Sequence, residues 1–208
     1  MNRRFALATT LGAVLAATGL LSGCASGPAS DGWVTLIDGD RGLDNWAQVG
    51  EANWRAEAGA IVADKGKGGF LVSRQSYKDV LIRAEFWAAT DTNSGIFLRV
   101  SDPKAITADN AYEVNIWDIR PDPKYGTAGI VNQVAVPAPP VYLAGGQWNS
   151  FEIEARGAKL TVKFNGTTTA VMDNAKLLEG PFALQFGPGV QGVLGGPIKW
   201  RKVQAKAL

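Results

Sequence analysis

Short runs in which apolar and polar residues alternate, broken every few positions by Gly, Pro, Asn or Asp, most limit the folds open to this chain. In Val80–Ala88, Val80, Ile82, Ala84 and Phe86 share one side of a period-two pattern, with Leu81, Arg83, Glu85 and Trp87 on the other. Phe151, Ile153 and Ala155 alternate with Glu152 and Glu154, and Leu160, Val162 and Phe164 with Thr161 and Lys163. Successive side chains of a strand point to opposite faces, so each run describes a strand with one buried face. From Trp33 onward no stretch keeps a helical period over three turns. The pattern predicts strands at Trp33–Ile37, Trp54–Ala56, Ala60–Ala63, Phe70–Ser73, Val80–Ala88, Ser94–Val100, Tyr112–Trp117, Ser150–Ala155, Lys159–Phe164, Thr168–Met172, Phe182–Phe186 and Ile198–Ala205. Arg156-Gly157-Ala158 and Asn165-Gly166 mark two hairpins. About a dozen strands exceed one flat sheet, so the expected fold is all-β, with two antiparallel sheets packed as a sandwich.

The amino terminus reads differently. Asn2-Arg3-Arg4 precedes a small and apolar run from Phe5 to Leu21, which ends in Leu21-Ser22-Gly23-Cys24. A basic start, a short apolar stretch and a small-residue cleavage site before cysteine make a lipoprotein signal. Residues 1–23 are therefore expected to be removed, with lipidation at Cys24, the only cysteine. Residues 24–31 would form the tether and 32–208 a single domain. This places the protein in the cell envelope, on the periplasmic side at the outer membrane, with membrane contact through the lipid alone.

Without Arg3 and Arg4 the 21 basic residues fall to 19, matching the 19 acidic ones. A neutral chain without a basic stripe is a poor nucleic-acid binder. Histidine is absent. With no His and no Cys beyond Cys24, Ser-His-Asp and Cys-His catalysis and zinc sites built on nitrogen and sulfur are excluded. Catalysis must then use carboxylates, Tyr, Lys or Arg, and a metal, if one is bound, would be a hard divalent cation with oxygen ligands.

Two segments combine alternation with chemistry. In Asn93-Ser94-Gly95-Ile96-Phe97-Leu98-Arg99 and on to Val100, Ile96, Leu98 and Val100 face one way, and Phe97 and Arg99 the other. In Tyr112-Glu113-Val114-Asn115-Ile116-Trp117-Asp118, Val114 and Ile116 oppose Glu113, Asn115 and Trp117, and Tyr112 reads as core. Paired in one sheet, they would gather a cation, a carboxylate, an amide and two aromatics, a mixture suited to a polar ring-shaped ligand. Arg99 with Glu113 also reads as an ordinary cross-strand ion pair, Glu85 as a sheet partner or a site residue, and the tryptophans as core or sugar platforms. Long irregular stretches at 101–111, 119–129 and 136–147 flank the two segments, where binding sites are often built. The last, with Pro137, Pro139 and Pro140, reads equally as an edge cover.

The run Trp33-Val34-Thr35-Leu36-Ile37-Asp38-Gly39 with Leu43-Asp44-Asn45-Trp46, then Asn53-Trp54, Gly69-Phe70-Leu71-Val72, Glu85-Phe86, Asn93 to Arg99, Tyr112-Glu113-Val114, Gln147-Trp148-Asn149, Asn165-Gly166 and Ala183-Leu184-Gln185 resembles the 3-keto-disaccharide hydrolase domain, in order and over nearly the whole chain beyond the tether. The resemblance implies a concanavalin-like jelly roll whose concave sheet faces carbohydrate. It also implies cleavage of 3-keto glycosides, by hydrolysis or by 1,2-elimination and hydration of the 2-hydroxy-glucal; the alternative is a carbohydrate-binding sandwich without chemistry. On the enzyme reading Glu113 is the base, Arg99 the partner of the enolate oxygen, and Asp118 the acid or, with Glu113, a cation ligand. Asn93, Asn115, Gln185 and Glu85 are candidate sugar-binding groups and Trp117 a stacking face. After Leu184-Gln185 the chain runs Phe186-Gly187-Pro188-Gly189, without the histidine the resemblance leads one to expect, so the carboxylates carry more of the argument.

Overall fold

Every period-two run becomes a strand. The computed structural model describes residues 31–192 and 195–208, so the expected signal peptide, Cys24 and the tether up to residue 30 lie outside the described residues. Thirteen strands are present among them: β1 (Trp33–Asp38), β2 (Trp46–Gly50), β3 (Arg55–Glu57), β4 (Ala60–Ala63), β5 (Gly69–Ser73), β6 (Val80–Ala88), β7 (Asn93–Leu98), β8 (Tyr112–Ile116), β9 (Trp148–Arg156), β10 (Lys159–Phe164), β11 (Thr167–Asp173), β12 (Ala183–Gly187) and β13 (Ile198–Ala207). All twelve predicted strands are there. The addition is β2, an edge strand in which only Trp46 is buried, so its sequence carries little alternation.

The strands form two antiparallel sheets. The larger runs β11-β10-β9-β6-β13-β4-β3, with β1 also paired to β13; the smaller runs β2-β5-β12-β7-β8. Their inner faces meet in one core. From the larger sheet come Phe86, Phe151, Phe164 and Trp200, with ring centroids of Phe86 and Phe151 5.2 Å apart and of Phe151 and Phe164 5.4 Å apart. From the smaller come Leu71, Ile96, Leu98, Val114, Ile116, Leu184 and Phe186. Burying such side chains stabilises the sandwich by about 1.5–3 kcal/mol each.

What positions the site is the other face of the smaller sheet. Register aligns Val72, Ala183, Phe97 and Glu113 in one row across β5, β12, β7 and β8, and Phe70, Gln185, Gly95 and Asn115 in the next. Val72, Phe97, Val100, Ala111 and Ala183 make a small apolar cluster on this face, against which Val49, Phe70 and Ile106 pack; Val100, expected beside Ile96 and Leu98, falls here because the strand ends at Leu98 and Arg99 is left-handed. Ile106 belongs to the predicted loop 101–111, which is thereby tied down over the sheet. Beyond β8 the chain turns back and pairs with it: Asn115 N donates to Gly129 O at 3.0 Å, Ala128 N to Asn115 O at 2.9 Å, and Val131 N to Glu113 O at 3.0 Å. The edge strand carrying Glu113 is therefore held on both sides.

Candidate functional site

Glu113 projects from β8 on the outer face of the smaller sheet, where strand parity predicts it. Gly95 on the neighbouring β7 is buried and has no side chain to compete with it for room. A Cβ at Gly95 would lie 3.4 Å from Glu113 Cγ and 3.5 Å from Oε1, so the carboxyl leans over the missing side chain. Gln185 lies on the far side of Gly95, two strands from β8 and so about 10 Å away at the usual strand spacing.

Glu113 is 8% exposed. Among the described residues no donor hydrogen-bonds its carboxyl, and no ion pair holds it. Burial disfavours the charged form and lifts its pKa to about 7, against a smaller opposing pull from Arg120. Arg120 reaches this face through a turn in which its N–H donates to Trp117 O at 3.4 Å. Its guanidinium carbon lies 5.4 Å from the centre of the Trp117 ring, a cation–π contact, and its Nε is buried without a partner. The indole Nε1 of Trp117 and the Oε1 of Gln185 are likewise buried and unpartnered. Buried polar atoms are normally satisfied, so a face that leaves these unpaired is short of partners.

Asn115 and Asn93 share this face, but their amides are committed. Asn115 Nδ2 donates to Tyr125 O at 2.6 Å and Asn93 Nδ2 to Pro188 O at 2.6 Å. Asn115 Oδ1 is buried and unpartnered. Next to Gln185 opens a cleft of about 350 Å³ with walls from Phe70, Ile106 and Pro188, and with Lys67 and Lys104 on its lining.

Three predicted site residues are elsewhere. Arg99 does not face Glu113: β7 ends at Leu98, and Arg99 takes a left-handed backbone (φ 54) that breaks the alternation. Its guanidinium is buried, donates to the carbonyls of Leu177 and Lys78 at 3.0 Å each, and lies 3.8 Å from Asp79. It is a clamp within the fold. Asp118 also turns away: its carboxylate accepts from Thr127 Oγ1 at 2.6 Å, from Ala144 N at 3.0 Å and from Gly145 N at 2.8 Å. It fixes the loop preceding β9 and leaves no oxygen to act as acid or to join Glu113 at a cation; among the described residues no three His, Cys, Asp or Glu cluster. Glu85 lies on the outer face of the other sheet, 2.6 Å from Arg201 Nε. Tyr112 is core as expected, its hydroxyl accepting from Leu177 N at 3.0 Å.

Sequence reading missed Arg120, Phe70, Lys67 and Lys104. Phe70 was open to it, since Phe70 alternates with Leu71 in a predicted strand. The other three sit in irregular segments, where no period reports direction.

A family model described as the 3-keto-alpha-glucoside-1,2-lyase-like domain matches residues 32–206. No curated protein matches the chain in sequence. Among solved structures, a candidate glycosyl hydrolase from Parabacteroides distasonis superposes with a TM-score of 0.66 at 20% identity, covering 85% of this chain and 99% of its own. The carbohydrate binding module CBM66 from Bacillus subtilis gives 0.50 at 14%, covering 85% and 96%. Winged bean acidic lectin complexed with methyl-alpha-D-galactose gives 0.57 at 13%, covering 84% and 98%. At these identities the likeness is one of fold: a lectin-like jelly roll that hosts both hydrolases and sugar binders.

Proposed function

The chain belongs to the 3-keto-alpha-glucoside-1,2-lyase-like domain family, and from that membership we propose that the outer face of its smaller sheet cleaves 3-keto glycosides with Glu113 as general base. A ketone at C3 acidifies the C2 proton. The Glu113 carboxylate takes that proton and the electrons of the C2–H bond delocalise onto O3 as an enolate; as the C3 carbonyl re-forms, those electrons make the C1=C2 bond and the C1–O bond breaks with loss of the leaving group. The leaving oxygen takes a proton from water or from Glu113, giving the 2-hydroxy-glucal. Hydration adds hydroxyl at C1 and returns a proton to C2, and the sum is hydrolysis.

A base for this step needs a pKa near the working pH and freedom from competing partners. One observation carries the assignment: Glu113 is a buried carboxyl without a hydrogen-bond donor, packed over the missing side chain of Gly95, with a pKa of about 7. Arg120 takes the part expected of Arg99, since a permanently charged group on the same face stabilises negative charge developing at O3. Trp117 beneath it holds it in place. Gln185 is the hydroxyl-binding group across the ring. Cys24 lipidation would hold this activity at the envelope, as the sequence implies.

The second reading is a carbohydrate-binding sandwich without chemistry. It draws support from the loss of Arg99 and Asp118 from the site and from the binding-module and lectin relatives in fold.

Incubating the purified protein with a 3-keto glucoside, with and without EDTA, beside Glu113→Gln separates the two. The enzyme reading expects release of the leaving group, with kcat/KM rising as Glu113 ionises and levelling above pH about 7, and a loss of at least roughly 100-fold in Glu113→Gln. Unchanged turnover in Glu113→Gln removes Glu113 from the mechanism. Sugar binding without turnover in the wild type favours the binding module.

A further inference from the structure

The cleft beside Gln185 is unlike the rest of the face in its electrostatics. Among the described residues its lining holds two cations, Lys67 and Lys104, and no carboxylate. Its walls are apolar: Val49, Phe70, Ile106 and Pro188. Lys67 is loosely paired with Glu51, 3.5 Å away, and both side chains are largely exposed. Lys104 uses only its backbone N–H locally, donating to Asp102 Oδ1 at 3.0 Å; among the described residues its Nζ has no partner. The cleft also stays open by construction. A Cβ at Gly68, whose φ is +114, would come within 3.3 Å of Phe186 O and 3.5 Å of Pro188 Cδ, and so would project into the space beside Pro188.

Position ties this cleft to the reaction. On the reading above the sugar lies between Glu113 and Gln185, and Gln185 is itself part of the cleft wall. A group attached to that sugar on its Gln185 side would enter the cleft. An apolar wall with Phe70 at its centre suits a ring. Two ammonium groups, one unpaired and one loosely paired, with no carboxylate among the described lining residues, suit a negative charge on that ring.

We propose that this cleft is the leaving-group subsite, and that it selects glycosides whose aglycone is an apolar ring carrying a carboxylate, the ring packing on Phe70 and the carboxylate meeting Lys67 and Lys104. The inference rests on the reading of the sheet face as the sugar site, but it is a statement about binding and is testable apart from turnover. Exposed lysines attract weakly and are screened by salt, so the selectivity is modest and is greatest at low ionic strength.

The test uses two unoxidised glucosides that are not turned over, 4-carboxyphenyl and 4-carbamoylphenyl α-D-glucoside, titrated calorimetrically into the whole protein at about 20 mM and at about 300 mM salt. The expected result is that the carboxylate binds about tenfold more tightly than the amide at low salt. The advantage should shrink at high salt and vanish in Lys67→Gln/Lys104→Gln, while affinity for the amide is unchanged. Equal affinity for the two, an advantage that survives the double substitution, or no binding of either overturns the subsite. The matching 3-keto glycosides give the independent readout. Turnover of both without preference in KM keeps the proposed reaction and discards this inference; a carboxylate preference in binding with no turnover of any keto glycoside keeps the subsite and discards the reaction.

Discussion

Glu113 is held in a place that disfavours its own charge, and that has a cost measurable without substrate. Its folded pKa of about 7 lies above the ordinary value of 4.5, so between those two pH values the folded state binds more protons than the unfolded one. Stability therefore falls as pH rises through that window and stays lower above it, by an amount on the order of 3 kcal/mol if the whole shift is expressed. Glu113→Gln removes the titration. Chemical denaturation should show wild type and variant close together at pH 4.5, and the variant more stable by about 1–3 kcal/mol at about pH 8. A constant difference across the range would mean the burial does not govern this carboxyl. Parity made Glu113 legible in the sequence, because alternation is a local property of a strand. The same rule failed just past Leu98, where one left-handed residue removed Arg99 from the face. It had nothing to say about Asp118, whose direction is set by backbone N–H groups 26 and 27 positions away.

At the scale of the strand, β7 works through what it lacks. Ser94 and Ile96 turn inward while Gly95 carries no side chain between Gln185 and Glu113, and any side chain there meets the Glu113 carboxyl and the space assigned to the sugar. A Cβ at this position would also sit 3.0 Å from Val114 O, so the fit is tight before the side chain extends. Gly95→Leu is expected to lower kcat/KM by roughly 100-fold or more through displacement of the ring. The cost in stability should be about 1–3 kcal/mol, typical of overpacking. Circular dichroism and thermal melting check the second figure, and near-wild-type turnover would show that the ring lies elsewhere. Element types and limits were legible because the alternating runs are long. The strand β2 was not, since an edge strand with one buried residue leaves no periodic trace.

Across the whole molecule, the order of strands is where the sequence was silent. Alternation separates the two faces of a strand but does not say which sheet it joins. Glu85 and Glu113 look alike in sequence, yet they lie on the outer faces of different sheets. Arg99 shows what long-range order adds. Its two hydrogen bonds join the end of β7 to the chain before β6 and to the segment before β12, and so tie the smaller sheet to its connections. Bonds from a charged donor contribute about 1.5–3 kcal/mol each. Arg99→Met should therefore lose about 3–5 kcal/mol, which for a chain of this size lowers Tm by roughly 10 °C. Because Arg99 lies away from Glu113, kcat of the folded variant should stay near that of wild type; a specific loss of kcat with an unchanged Tm would return Arg99 to the chemistry.

The backbone pairing of segment 128–131 with β8 has a further consequence. An unpaired edge strand is a template for another chain, and strand addition at β8 would displace the very residues that hold Glu113. Here the amide of Asn115 and the carbonyls of Glu113 and Asn115 are already taken. The edge nearest the proposed base is thus closed to growth, and copies crowded side by side on a surface would not zip together through it.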